Sequence, residues 1–437
     1  MPEPKPAPPA TPGPGTAAGA PSAPSAPSAS GTRHPHGALV VLLLSSTLGI
    51  MSSTILMPVL ELIRTDLEIS ATRAGTLLTV NGLTVAVVSP LTGWLVDRVG
   101  VRGPMFAGLL LYGLAGGAGL VTDDYTLLLA GRVVFGIGAA TAFSATTVAL
   151  LNGYRGADRD RVMGWRTAAT GLGGVLWPIL GGALGAISWQ APFAVYLVGI
   201  PVGAAALFLF GSSGPARSGP VGERPAEVTT LRAAVAAQPA LLGVFALSGV
   251  YMVLTYGLLV FLPQRLAELG VHDPAAVSVH VAAVTGTSAL VGVAYARLRR
   301  VLGVNALLRT AAVLWTAAFL LLGLADARAA LVAAAVLVGA GGGVWLTSLT
   351  VLVGALTPAP VMGRASSVSS TMVFVGQFLS PLALGPLMAA TSISVGHLVL
   401  AGGAGALALV LSFVRFPTAQ NSPGQEEPAG GTSPYRR

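Results

Sequence analysis

The chain has 437 residues, 53% hydrophobic and only 9% charged, with a mean hydropathy of +0.77; soluble domains carry roughly 25% charged residues, so a water-soluble fold is excluded. With no cysteine there is no disulfide framework, thiolate metal site or cysteine nucleophile. The net charge of +8 rests on 23 Arg and one Lys, most of them in short loops between apolar runs, a pattern of membrane orientation and not of nucleic-acid binding.

Residues 1–37 are rich in Pro, Ala and Ser, with 11 prolines in the first 36 positions. Such a segment buries too little surface to offset its ordering entropy, so a disordered cytoplasmic tail is predicted, and it lacks the basic-then-apolar pattern of a secretory signal. Residues 417–437 are expected to be a second disordered cytoplasmic tail. Between the tails lie twelve apolar stretches, each near the ~20 residues a helix needs to cross a bilayer. The first six fall near 38–60, 73–96, 104–122, 126–151, 163–187 and 191–210. The second six fall near 239–262, 276–297, 304–324, 329–353, 365–390 and 394–415. The runs are continuous and not alternating, which excludes a β-barrel. The predicted fold is therefore an all-α integral membrane protein of twelve spans. Its domains are a six-helix bundle at 38–210, a cytoplasmic linker at 211–237 and a second six-helix bundle at 238–416.

Orientation follows from the basic residues. With both termini inside, 19 Lys and Arg fall on the cytoplasmic side, four (Arg64, Arg73, Arg265, Arg328) on the other, and Arg132 lies inside a span. That is a strong positive-inside bias. The chain also repeats itself. At an offset of 203, Gly136, Gly138, Arg161, Gly173, Pro178 and Gly182 fall on Gly339, Gly341, Arg364, Gly376, Pro381 and Gly385. At an offset of 199, Gly93 and Arg98 fall on Gly292 and Arg297, and Ala296 then stands where Asp97 has its carboxylate. Two pseudo-symmetric halves of this kind place a binding site at their interface near the bilayer midplane.

The loop after the second span reads Gly93-Trp-Leu-Val-Asp97-Arg98-Val-Gly100-Val-Arg102. It resembles the GxLxDRxGxR signature of the major facilitator superfamily. The resemblance extends over roughly 38–416 and implies two six-helix bundles working by alternating access in the cell membrane. It also implies a cytoplasmic gate in which Gly93 lets spans 2 and 11 approach, while Asp97, Arg98 and Arg102 latch the inside closed. Arg132-Val-Val-Phe-Gly136-Ile-Gly138 resembles the family's intramembrane Arg, tied there to proton coupling. A buried guanidinium is costly and faces a partner or a wet cavity; the alternative is that Arg132 reaches the nearby interface. Gly164, Gly173, Pro178, Gly181 and Gly182 resemble the antiporter motif of drug-exporting branches, except that Trp177 replaces the Gly before the Pro, and the stretch from Arg161 to Tyr196 is similar to exporters of drugs and of catecholate siderophores. Such glycines also serve ordinary helix packing.

All sixteen acidic residues fall near one side or the other of the membrane. Glu61, three residues after Pro58, is the nearest candidate proton carrier, expected to face Arg132; a solvated Glu at a helix end is the alternative. Asn81, Tyr251, Tyr256, Trp345 and Gln377 are candidates for the substrate cavity, each equally readable as a packing residue. No GxxxxGK[ST] loop and no metal-ligand spacing occurs, so neither ATP hydrolysis, a metal, a cofactor nor an enzyme is expected. The expected function is proton-coupled efflux of a small organic molecule (drug, secondary metabolite or siderophore) by a monomer. An uptake carrier or uniporter is the alternative, and a non-transporting membrane sensor a remote one.

Overall fold

The computed structural model describes residues 36–154, 156–210, 231–358 and 361–417. All but the edges of the two predicted tails, and most of the linker, lie outside these ranges. At the linker's end Leu231–Ala237 forms a short helix where only a polar connection was expected. Every regular element among the described residues is helical.

The first half contains α1 (Gly37–Asp66), α2 (Ala71–Val99), α3 (Arg102–Leu120), α4 (Tyr125–Gly153), α5 (Gly156–Gly185) and α6 (Phe193–Leu209). The second contains α7 (Ala240–Glu268), a 51-residue stretch Pro274–Leu324, α10 (Arg328–Leu356), α11 (Met362–Ala390) and α12 (Ile393–Phe413). Ten helices are long and apolar enough to cross a membrane. The 51-residue one divides at Gly303 (φ 73°, ψ 163°) into α8 (274–302) and α9 (304–324). With the shorter α6, about 26 Å at 1.5 Å per residue, twelve spans result, as predicted. The six residues expected to separate α8 from α9 shrink to one because Arg297, Arg299 and Arg300 continue the helix into water. Hydropathy marks where hydrocarbon ends, not where a helix must.

A single offset of 203 relates the halves. The N-cap side chains of α2 and α8 are Ser70 and Asp273, and α4 and α10 are each 29 residues long and start at 125 and 328. Gly100 (φ 84°) closes α2 as Gly303 closes α8; both sit where only glycine is unstrained. This corrects the 199 pairing, which is off by about one helical turn. The counterpart of Asp97 is Arg300, not Ala296, and the counterpart of Gly93 is Ala296. Inside each half the packing repeats as well: α1 on α5 and α7 on α11, α2 on α4 and α8 on α10, α3 on α6 and α9 on α12. The halves meet along two seams, α2 with α11 and α5 with α8.

Candidate functional site

Both seams are built on glycine. A methyl group at Gly75 would strike Pro381 and Val260, at Gly385 Thr72, at Gly182 Ser278, and at Gly185 Val59 and Pro274. Halfway along, Gly82 lies under the Gln377 amide and Gly174 under Thr285, whose hydroxyl donates to the Gly174 carbonyl at 2.6 Å. These two contacts are the same contact repeated, since 285 is 203 beyond 82 and 377 is 203 beyond 174. Further on, the seams part. Nothing lies within 4 Å of the Cβ position at Gly93, Gly164 or Gly292. The molecule is thus sealed at the end bearing Glu61 and splayed at the end bearing Asp97. In this state Asp97 is exposed and makes no ion pair among the described residues, Arg98 stacks on Trp94 at 5.4 Å, and the buried Arg102 Nε has no partner.

The antiporter-motif residues divide along this line. Gly181 lies against the backbone of Ile55 in α1 and Gly182 against α8, whereas Gly164 touches nothing. Trp177 folds its indole back over Gly173, beside Thr47, with its buried Nε1 unpartnered; its counterpart Ser380 instead donates to Val253. Pro178 lies buried within α5.

Arg132 is 1% exposed, and its partners are carbonyls. Nη2 donates to Ser52 at 2.6 Å and Nε to Leu77 at 3.3 Å, while the guanidinium lies over Phe135 (4.5 Å) and Tyr196 (5.5 Å). The Ser52 carbonyl is free because α1 breaks. Its regular helix ends at Thr54, a 3-10 turn covers Met57–Val59, and helix resumes at Leu60–Asp66. Pro58 supplies no N–H to that turn. The same carbonyl accepts from the Tyr196 hydroxyl at 3.1 Å, and Asn81 Nδ2 donates to Ser52 Oγ at 3.4 Å. Arg132 therefore ties α1, α2 and α4 together, and Tyr196 joins α6 to them.

The expected meeting of Glu61 and Arg132 does not occur. Glu61 holds Arg64 in a two-point ion pair, 2.6 and 2.8 Å. Both line a cavity of about 310 Å³ at the sealed end, with Pro58 on one half and Pro263, Val271 and His272 on the other. Arg265 joins Arg132 as a second buried guanidinium, missed because it was counted among the loops. It pairs with Asp326 (2.8 Å) and Glu268 (3.0 Å) and donates to the Leu322 and Ala325 carbonyls at the end of α9. Those last-turn carbonyls have no helical donor, which gives the charge its place.

Residues 42–381 match the Major Facilitator Superfamily, most of the chain. The chain belongs to that superfamily. Its relatives include the class C tetracycline resistance protein of Escherichia coli, 36% identical over 162 residues that cover 36% of this chain and 40% of that protein. The putative multidrug resistance protein MdtD of Pectobacterium carotovorum is 39% identical over 125 residues, 28% and 26% of the two chains. The bacillibactin exporter of Bacillus subtilis is 30% identical over 151 residues, 33% and 37%. The matched stretches span less than half of these relatives. Among solved structures, a bacterial homologue of the human lysosomal transporter Spinster, inward-facing and unoccupied, superposes with a TM-score of 0.68 at 19% identity over 86% of this chain and 94% of its own. A POT family transporter in complex with 5-aminolevulinic acid gives 0.72 at 15% identity, over 87% and 96%. At such identities the likeness establishes the fold. Membership in the superfamily bears out the reading of a multi-pass membrane protein of the transporter class and not an enzyme.

The cavity candidates read from the sequence fall in different places. Gln377 sits on the seam with its Nε2 unpartnered, and Tyr256 lies against Ser53 across the interface of the halves. Asn81 is enclosed in the first bundle. Trp345 is fully buried in the second, its indole donating to Leu247 at 3.2 Å and packing on Trp315, against which Tyr251 also stacks. Trp345 is thus a packing residue. Sequence reasoning missed Thr285 and the carbonyl of Ser52. An offset search that gave residue 285 the same weight as the glycines would have found the former; nothing in the sequence marks the latter.

Proposed function

We propose that this protein is a secondary active transporter that exports a small organic molecule, of the drug, secondary-metabolite or siderophore type, in exchange for protons. The observation that carries the reading is the pair of glycine seams, packed at one end and parted at the other. Two rigid halves hinged on such seams expose their interface to one side at a time, which is alternating access. The positive-inside bias assigns the parted end to the cytoplasm and both termini with it. The matched segments of a tetracycline resistance protein and a siderophore exporter support export over uptake.

In this reading the residues divide the work. Gly93, Asp97, Arg98, Gly100 and Arg102 form the cytoplasmic gate, in this state without an ion pair among the described residues. Glu61 carries the proton in the cavity between the halves, where protonation releases Arg64. Arg132 fixes the break in α1 that sets Glu61 in that cavity, so the two residues cooperate through α1 and not by contact. Gln377 and Tyr256 line the substrate path.

Everted vesicles with an acid interior test this. Adding a transported compound releases interior protons, and Asp97→Asn abolishes the release. Glu61→Gln removes the pH dependence. Undiminished, pH-responsive transport by Glu61→Gln removes Glu61 from the mechanism. A uniporter is the second reading, favoured because no Asp or Glu is buried among the described residues and Glu61 is already paired. Compound movement without a proton signal selects it.

A further inference from the structure

Arg166 stands in the first turns of α5, among the basic residues of the cytoplasmic side, yet it is part-buried and its side chain reaches another helix. Its Nη2 donates to the Thr147 hydroxyl of α4 at 3.0 Å, and the guanidinium lies over the Phe143 ring at 5.1 Å. Among the described residues this is the side chain's only hydrogen bond, and it has no ion pair. Arg132 and Arg265 are better provided. The first has two carbonyls, the second two carbonyls and two carboxylates. Arg166 is a partly desolvated charge with one neutral partner, and most of its N–H groups are uncommitted.

The faces of the two helices place that charge. On α4, Gly136, Ala140 and Ser144 meet α2, while Gly138 and Ala142 meet α3. On the outer flank between those contacts Leu127 and Val134 are exposed. Phe143 follows Val134 by about two and a half turns, so it occupies the opposite side of the helix. There it lies against Gly49 of α1 and is still 50% exposed. On α5, Gly173 meets Thr47 of α1, and Gly171 and Gly174 meet α8. Arg166 lies about two turns before Gly173, at the level where Gly164 touches nothing and the seam has parted. Arg166, Thr147 and Phe143 therefore face the space between the halves, on its cytoplasmic side, and not lipid.

We propose that Arg166 is the anion-binding residue of this space, and that the exported molecule carries a carboxylate or ionised phenol on an aromatic or apolar body. A guanidinium fork matches a carboxylate at two points, and the open Phe143 ring gives the body a face to pack on. No Asp or Glu is buried among the described residues, so a cationic cargo would find no counter-charge of its own. This assignment rests on the export reading and names the class of its cargo.

Three naphthalenes of one shape test it: anionic 2-naphthoate, neutral 2-naphthamide and cationic 2-naphthamidine. Their binding to the full chain in neutral detergent is measured by equilibrium dialysis, without gradient or transport. Naphthoate should bind at least about tenfold tighter than naphthamide, the size of one charge-assisted bond, and naphthamidine should bind weakest. Arg166→Gln should erase the preference for naphthoate and leave naphthamide unchanged. Arg166→Lys, which keeps the charge and loses the fork, should fall between, and it carries the comparison if Arg166→Gln does not fold. Phe143→Ala should weaken naphthoate and naphthamide alike. Naphthoate bound no tighter than naphthamide, or no saturable binding of either, overturns the anion site. Equal loss of both probes in Arg166→Gln also overturns it, because a merely structural Arg166 would give that result. Displacement of naphthoate by an equal concentration of added phosphatidylglycerol would assign the charge to a lipid headgroup and overturn it as a cargo site. A chain that binds naphthoate through Arg166 yet moves no compound in vesicles refutes the proposed function and leaves the site standing.

Discussion

Arg132 donates at 2.6 Å to the carbonyl of Ser52, an oxygen that the break in the first span leaves without a helical partner. A costly buried charge and a costly broken helix thus satisfy each other. Arg132→Gln should destabilise the protein by about 1–3 kcal/mol, since the Ser52 carbonyl is left with the Tyr196 hydroxyl alone and the guanidinium packed over Phe135 and Tyr196 is lost. Arg132→Lys should rescue little, because an ammonium lacks the planar fork that reaches two carbonyls while lying over Phe135. Thermal unfolding in detergent, read beside transport, checks both variants.

The glycines of α5 should separate by depth. Gly182→Ala places a methyl group on Ser278 and on the Pro274 carbonyl and should cost about 1–3 kcal/mol. Gly164→Ala meets nothing in this state and should leave the melting temperature unchanged, yet slow transport by keeping the seam from closing. Equal melting shifts for the two would contradict the parted seam.

Thr285→Val keeps the shape of the seam but deletes the bond to Gly174. Interhelical hydrogen bonds in membranes average about 0.6 kcal/mol, so a melting shift near the limit of detection is expected. Gly174→Leu, which forces the halves apart at the same level, should be far worse. A large effect of Thr285→Val would mean that the seam is held by that bond and not by packing.

Arg265→Met should lower stability by about 1–3 kcal/mol, because the carbonyls closing α9 lose their donor. The Asp326 carboxylate is largely exposed and its pairing contributes little, so Asp326→Asn should be near neutral. Unfolding curves of the two variants distinguish a helix-capping role from an ion-pair role.

Much of the fold was legible in the chain. Span number, the two halves and the family signature all follow from hydropathy and spacing, because hydrocarbon imposes span length and apolar character on every crossing helix. The repeat was half legible. The glycines gave the 203 offset, but in so Gly-rich a chain a one-turn slip between α2 and α8 also finds matches, and the caps Ser70 and Asp273 together with Gly100 and Gly303, both at positive φ, remove it.

The sequence by itself determined that this is a membrane protein of twelve helices, which side its basic loops favour, and which glycines let helices touch. Tertiary structure alone decided what those residues touch. It set Glu61 on Arg64 instead of Arg132, buried Arg265 under the end of α9, packed Trp345 inside a bundle, and parted the seams beyond Gly171 and Gly82. The reason is geometric. Composition and period fix how a helix meets lipid, but the partner of a polar side chain depends on which helix lies beside it, at what depth and turned which way, and those are settled only when all twelve pack.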